Sequence, residues 1–226
     1  MLREIVLDTE TTGLEPAEGH RIVEVAAVEL LDHLPSGRTF QSYLDPERDV
    51  PEEARRVHGL TREFLQGYPT FAEAAEEFLG FLGDSPLVIH NASFDLKFLN
   101  AELARIGREP LASSRVIDTL ALAQRRFPGA PASLDALCRR FGVDASARKV
   151  HGALLDCQLL AEVYLHLLGG RQVELGLRQK APVAAQSVPV PTEWAGRRPR
   201  PHAPSAAEEA AHAALLDELV GPIWRR

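Results

Sequence analysis

Two acidic residues one position apart, Asp8 and Glu10 in the stretch Ile5-Val6-Leu7-Asp8-Thr9-Glu10-Thr11-Thr12-Gly13-Leu14, constrain this chain more than any other feature. Ile5, Val6 and Leu7 read as a buried strand. Residues i and i+2 of a strand point to the same face. Asp8 and Glu10 therefore aim their carboxylates at one point as the strand leaves the core. Two ionised carboxylates that close repel unless a cation sits between them. Hard oxygen ligands with hydroxyls nearby suit Mg²⁺ or Mn²⁺, and not zinc.

The pattern along the chain places further elements around that strand. Strands are expected over residues 4–8, 22–31 and 38–44, joined by short connections as an antiparallel meander. Thr70-Phe71-Ala72-Glu73 has the spacing of a capping box and opens an amphipathic helix that ends near Gly83. Residues 86–90 read as a short buried strand. A helix follows over 93–106 and stops at Gly107. Residues 115–118 read as another strand, and helices are expected over 120–127, 133–141 and 152–168. Three meander strands followed by strand–helix alternation predict an α/β architecture, a mixed sheet flanked by helices.

Composition narrows the class. The 226 residues are 45% hydrophobic and 25% charged, the profile of a globular protein, and no apolar run approaches the roughly 20 residues that span a bilayer. No membrane partner is expected. Cys138 and Cys157 form neither a metal spacing nor a disulfide framework, so a reducing, cytoplasmic setting is the expectation. The formal charge of -7 divides unevenly: residues 1–170 carry 26 Asp+Glu against 17 Lys+Arg, residues 171–226 carry 6 against 8. An acidic body is a poor passive coat for nucleic acid. It remains compatible with a nuclease that meets phosphates through bound cations, which reverse the local field.

Two further acids and a histidine join the first pair. Asp95 in His90-Asn91-Ala92-Ser93-Phe94-Asp95 falls in the first turn of a helix just after a buried strand, where it also suits the helix dipole. Asp156 in His151-Gly152-Ala153-Leu154-Leu155-Asp156 lies one turn into the last helix of the body, where a solvated-face role competes with a chemical one. His151 stands at or before that helix start, where a lone His also serves as a cap or surface residue. Taken in order, these three segments resemble the signature of the DEDDh 3′–5′ exonucleases over about residues 3–168. Val57-His58-Gly59-Leu60-Thr61, Phe127-Pro128-Gly129 and Ser133-Leu134-Asp135-Ala136-Leu137-Cys138 are similar to the proofreading-subunit branch of that family, found in bacterial DNA polymerase III.

The resemblance implies a ribonuclease-H-like fold with a five-stranded sheet. It implies Asp8, Glu10, Asp95 and Asp156 as ligands of two divalent cations, Mg²⁺ or Mn²⁺, with His151 as the general base for an attacking water. Two cations roughly 3.5–4 Å apart supply what phosphodiester hydrolysis needs. Histidine titrates near neutrality and suits the base role. The 3′ end of single-stranded or mismatched DNA is the implied substrate. Besides Asp8, Glu10 and Asp156, its implied contacts are Thr11, Thr12, Leu14, Glu53, His58, Asn91 and Phe94. Glu53 also reads as a helix-surface acid, His58 as a loop residue and Phe94 as core. Asp118 reads as a structural acid.

Beyond residue 170 the sequence divides into a short motif over 171–178, a Pro-rich linker over 179–204 and a terminal helix over 205–226. Gln172, Leu175 and Leu177 resemble the Gln-x-x-Leu-x-Leu pattern that docks bacterial proteins on the sliding clamp. Leu215, Leu219 and Trp224 lie on the terminal helix, which is expected to bind the catalytic alpha subunit of polymerase III. The body would then be a monomer tethered within a holoenzyme. Two alternatives compete: a DEDDh exoribonuclease that trims RNA ends, and a non-catalytic polymerase scaffold.

Overall fold

The computed structural model describes residues 2–146, 150–170 and 203–218. The chain forms two compact units, Met1–Gly176 and Leu177–Arg226. In the first, strand β1 (Arg3–Thr11) lies at the centre of a five-stranded sheet. It pairs antiparallel with β2 (Ile22–Leu31) and parallel with β4 (Leu87–Ile89). β2 pairs antiparallel with β3 (Leu34–Tyr43), and β4 pairs parallel with β5 (Val116–Asp118), giving the order β3-β2-β1-β4-β5. This is the mixed sheet expected from the sequence.

Two strand boundaries differ from expectation. β1 continues past Asp8 to Thr11, so Asp8 and Glu10 both stand on regular strand. β3 begins at Leu34, not at residue 38, because the chain reverses in two residues. Asp32 and His33 take φ of 49° and 68°, the left-handed pair that a tight hairpin requires. The Leu2 N–H donates to the Asp32 carboxylate at 2.8 Å and the Asp32 N–H donates to the Leu2 carbonyl at 2.8 Å, which holds the turn.

Alternation along β1 feeds two cores. Ile5 and Leu7 face one layer with helices α3 (Phe71–Leu82) and α4 (Ala92–Arg105), where Phe78, Phe98 and Leu99 are fully enclosed. Val6 faces the other, with α5 (Thr119–Arg126), α6 (Leu134–Phe141) and α7 (Ala153–Leu167), through Leu137, Cys157, Leu160 and Val163. Asp8 and Glu10 continue the Val6 face, and Thr9 the Leu7 face. Thr70 and Glu73 form the expected capping box at α3: the Thr70 N–H donates to Glu73 at 2.7 Å.

Two short helices go beyond the expected elements, α1 (Glu52–His58) and α2 (Arg62–Leu65). Together with Val50 just before α1, they cover the start of β2 at Val23 through Ala54 and Leu65. The second unit contains helix α8 (Ala206–Glu218), on which no residue is buried and Leu215 is exposed. Gln172, Leu175, Leu177, Leu219 and Trp224, and all of the Pro-rich segment before residue 203, lie outside the described residues.

Candidate active site

The site forms where β1 ends between two helix starts. Asp8 and Glu10 share the face that looks toward α7, and a register irregularity after Glu10 closes the ladder with β2. Asp95 lies in the first turn of α4, buried, and approaches from the other side of β1. The Thr9 N–H and hydroxyl both donate to its Oδ1, at 3.0 and 2.7 Å. Asp156 is buried in the first turn of α7. His151 precedes that helix, and its N–H donates to the Val57 carbonyl at 3.0 Å, which ties it to α1. Its Nδ1 stands 3.5 Å from Asp156 Oδ2.

Asp8, Glu10, Asp95, Asp156 and His151 all line one cavity of about 630 Å³. Within it, Glu10, His151 and Asp156 each offer a ligand atom, all within 4.8 Å of one another. Burial pushes the Asp8 carboxyl well above the usual carboxylate range, and the negative charges of Asp95, Glu10, Asp156 and Glu24 push it further. Burial also raises Asp95 to about 7, against the opposing hydrogen bonds from Thr9. Acids packed this closely hold protons unless positive charge joins them. Hard oxygen donors at the mouth of a cavity fit divalent cations of the Mg²⁺ or Mn²⁺ type.

A second cavity of about 550 Å³ adjoins the first, sharing Thr9, Glu10, Leu14 and Phe94 with it. Thr11, Thr12, Leu14, Glu53 and His58 line this second space. Leu14 is 78% exposed, an apolar side chain held out at the rim. Glu53 is an exposed acid in the first turn of α1 and still reaches the cavity wall. His58 is not on a loop: it ends α1, and it is 4% exposed. Its Nδ1 accepts from the Leu60 N–H at 3.0 Å, which leaves the proton on Nε2, turned toward the Thr11 backbone without a well-formed hydrogen bond. Burial lowers its pKa, so the neutral ring is favoured. Phe94 serves as both wall and core, since it lines both cavities and its ring lies 5.1 Å from that of Phe98. Asn91 takes φ of 59° at the start of α4 and lines the first cavity. Asp118 is structural: it accepts from the N–H groups of Leu120 and Asn91 at 2.8 and 3.2 Å.

Sequence reasoning misses Glu24 and His20. Glu24 sits in β2 directly opposite Glu10, is 2% exposed, and burial raises its pKa. Its one signal is a single acid inside the apolar run Ile22-Val23-Glu24-Val25-Ala26. His20 bonds the Thr12 hydroxyl at 3.1 Å, and its ring fills the space beside Gly13: a Cβ there would lie 2.3 Å from it. No pattern in the sequence marks that contact.

The sheet, the helix starts and the acidic cavity define a nuclease of the ribonuclease-H-like class. A family model described as Exonuclease (RNase_T) matches residues 5–164. The DNA polymerase III subunit epsilon of Rickettsia conorii is 53% identical over 185 residues, covering 80% of each chain. That of Escherichia coli is 49% identical over 176 residues, covering 75% of this chain and 72% of the relative. Among solved structures, exonuclease X in complex with 5′ overhanging duplex DNA aligns with a TM-score of 0.60 at 26% identity, over 73% of this chain and 90% of that one. The nuclease domain of 3′hExo, a DEDDh family member bound to rAMP, aligns at 0.64 and 23% identity, over 74% and 91%, and shares the fold. The chain belongs to this exonuclease family, in the branch of the DNA polymerase III epsilon subunits. No helix among the described residues is long and apolar enough to cross a membrane.

Proposed function

We propose that the chain is the 3′–5′ proofreading exonuclease of a bacterial DNA polymerase III, releasing 5′-mononucleotides from a mismatched or single-stranded 3′ end. The observation that carries this reading is the convergence of four carboxylates and one histidine, from β1, α4 and the start of α7, on a single cavity. Asp8, Glu10, Asp95 and Asp156 would hold two divalent cations, Mg²⁺ or Mn²⁺. When bound, such ions lower the pKa of water and offset charge on the leaving oxygen.

The chain's own residues do the rest. His151, with 46% of its side chain exposed, is reachable by water and accepts the proton of the attacking molecule. Asp156 beside it offsets the positive charge that the ring then carries. The second cavity takes the terminal nucleotide between Thr11, Thr12 and His58, and the exposed Leu14 separates it from the next base. Gln172, Leu175 and Leu177 dock on the sliding clamp, and the terminal helix carrying Leu215, Leu219 and Trp224 binds the catalytic alpha subunit, in the cytoplasm. A tether of this kind raises local concentration at the primer end without a rigid interface.

Purified protein is expected to release 5′-mononucleotides from a mismatched DNA primer in Mg²⁺ and to stop in chelator. RNA of the same sequence is expected to be degraded much more slowly; the reverse preference would favour an RNA-trimming enzyme, and an inert wild type a scaffold. Deleting residues 180–226 should leave hydrolysis of free DNA unchanged and abolish co-purification with the polymerase. Co-purification of the truncated chain would refute the role given to the tail.

A further inference from the structure

We propose that Glu24 is a positioning residue: from β2 it caps helix α7 and thereby sets where His151 and Asp156 stand. Helix α7 starts after Gly152, which has no side chain to satisfy the helix's first N–H groups. The cap comes instead from another element. The Ala153 N–H donates to Glu24 Oε2 at 3.1 Å, and the Leu154 N–H is directed at the same carboxylate. The other oxygen, Oε1, accepts from Gln41 Nε2 of β3 at 2.7 Å. Both oxygens of Glu24 are therefore committed, and the side chain bridges β3 to the start of α7.

The placement makes this contact consequential. Glu24 is the register partner of Glu10, so the same rung of the sheet that presents Glu10 also anchors α7. The anchored residue, Ala153, lies two positions after His151 and three before Asp156. On the other side, the His151 backbone N–H is fastened by the Val57 carbonyl. A buried acid beside Asp8 and Asp156 adds to their repulsion. An anion is nonetheless the group that can accept from several donors at once and complement the positive end of a helix. Glu24→Met keeps the length of the side chain but removes both acceptor oxygens, so neither the Ala153 N–H nor Gln41 Nε2 keeps its partner. Glutamine would not do this, because one end of its amide still accepts from Ala153 and the Gln41 amide can flip to meet the other.

The kinetic part of this inference rests on the nuclease reading; the exchange part does not. Amide hydrogen exchange of the full chain in chelator should show Ala153 and Leu154 protected, unlike the first amides of an uncapped helix. In Glu24→Met their exchange should accelerate at least tenfold while the β1 and β4 amides keep theirs. On DNA with saturating Mg²⁺, kcat should fall at least tenfold with KM changed less than about threefold. Gln41→Ala, on the exposed side of β3, should move both readouts in the same direction by a smaller factor; it carries the test if Glu24→Met does not fold. Unchanged exchange overturns the cap. Faster exchange with kcat within twofold of wild type overturns the positioning role. An inert wild type sinks the nuclease reading, and the catalytic half of this proposal with it, and is told apart by an exchange difference that persists.

Discussion

Replacing Asp95 by Asn should stabilise the metal-free protein at neutral pH. The amide that replaces the carboxyl keeps an Oδ1 to accept from Thr9, so the two hydrogen bonds at 3.0 and 2.7 Å survive. What disappears is the need to hold a buried charge or a proton. In the folded chain Asp95 titrates at about 7, raised by burial, whereas an unfolded Asp titrates near 4. For a carboxyl raised on folding, its share of stability is complete below about pH 4, is lost progressively as pH rises, and is gone above about pH 7. That difference corresponds to roughly 4 kcal/mol, which for a domain of this size is about 10 °C in Tm. His58 works the other way, because burial lowers its pKa and stability from that ring falls as pH drops. Comparing wild type with Asp95→Asn cancels the His58 contribution. Thermal melts in chelator should show the variant well above wild type at pH 7.5 and the two converging near pH 4.5. Adding Mn²⁺ at pH 7.5 should raise wild type and leave the variant much less affected. A variant that melts below wild type at pH 7.5 without metal would refute the electrostatic basis of the site.

Other substitutions test separate parts. Asp8→Ala and Asp156→Ala should each lower kcat by at least about 10³ while far-ultraviolet circular dichroism stays native, since each removes a metal ligand and no core volume; retained activity would refute the ligand assignment. His151→Gln should lower kcat by roughly 10²–10⁴ and leave Mn²⁺ affinity within a few fold, as expected of a base and not a ligand; calorimetry showing lost Mn²⁺ binding would reverse that assignment. Gly13→Ala should displace the His20 ring and break its bond to Thr12, raising KM for DNA about tenfold with a smaller effect on kcat, as steady-state kinetics would show. Phe98→Ala, at a fully enclosed position on the face of α4 packed in the core with Ile5 and Leu7 of β1, should cost about 3–5 kcal/mol in denaturant melts.

The elements legible in the sequence are those with a strong period or a marked end. β2 is legible to the residue because every position from Ile22 to Leu30 is buried and the apolar run is nearly unbroken. α3 shows itself through its capping box, and α6 through Ser133 and Gly142, which cap it as the pattern suggests. The hairpin before β3 is not legible, because Asp32-His33 adopts a conformation that Asn-Gly would have announced. α1 escapes recognition because seven residues between Pro51 and Gly59 give too short a period. That omission matters: α1 carries Glu53 and His58 and supplies the carbonyl that holds His151. The four acids and His151 are legible through the order of their motifs. Glu24 and His20 are not, since each acts through a contact that only the folded sheet creates.

Anomalous diffraction from crystals soaked in Mn²⁺ at pH 7.5 reports on the acidic cavity without substrate or kinetics. Density peaks are expected within coordination distance of Asp8, Glu10, Asp95 and Asp156, and should be lost in Asp8→Asn. A well-ordered cavity with no peak among those carboxylates, or with its ion bound elsewhere, would contradict the cation site on which the chemistry depends.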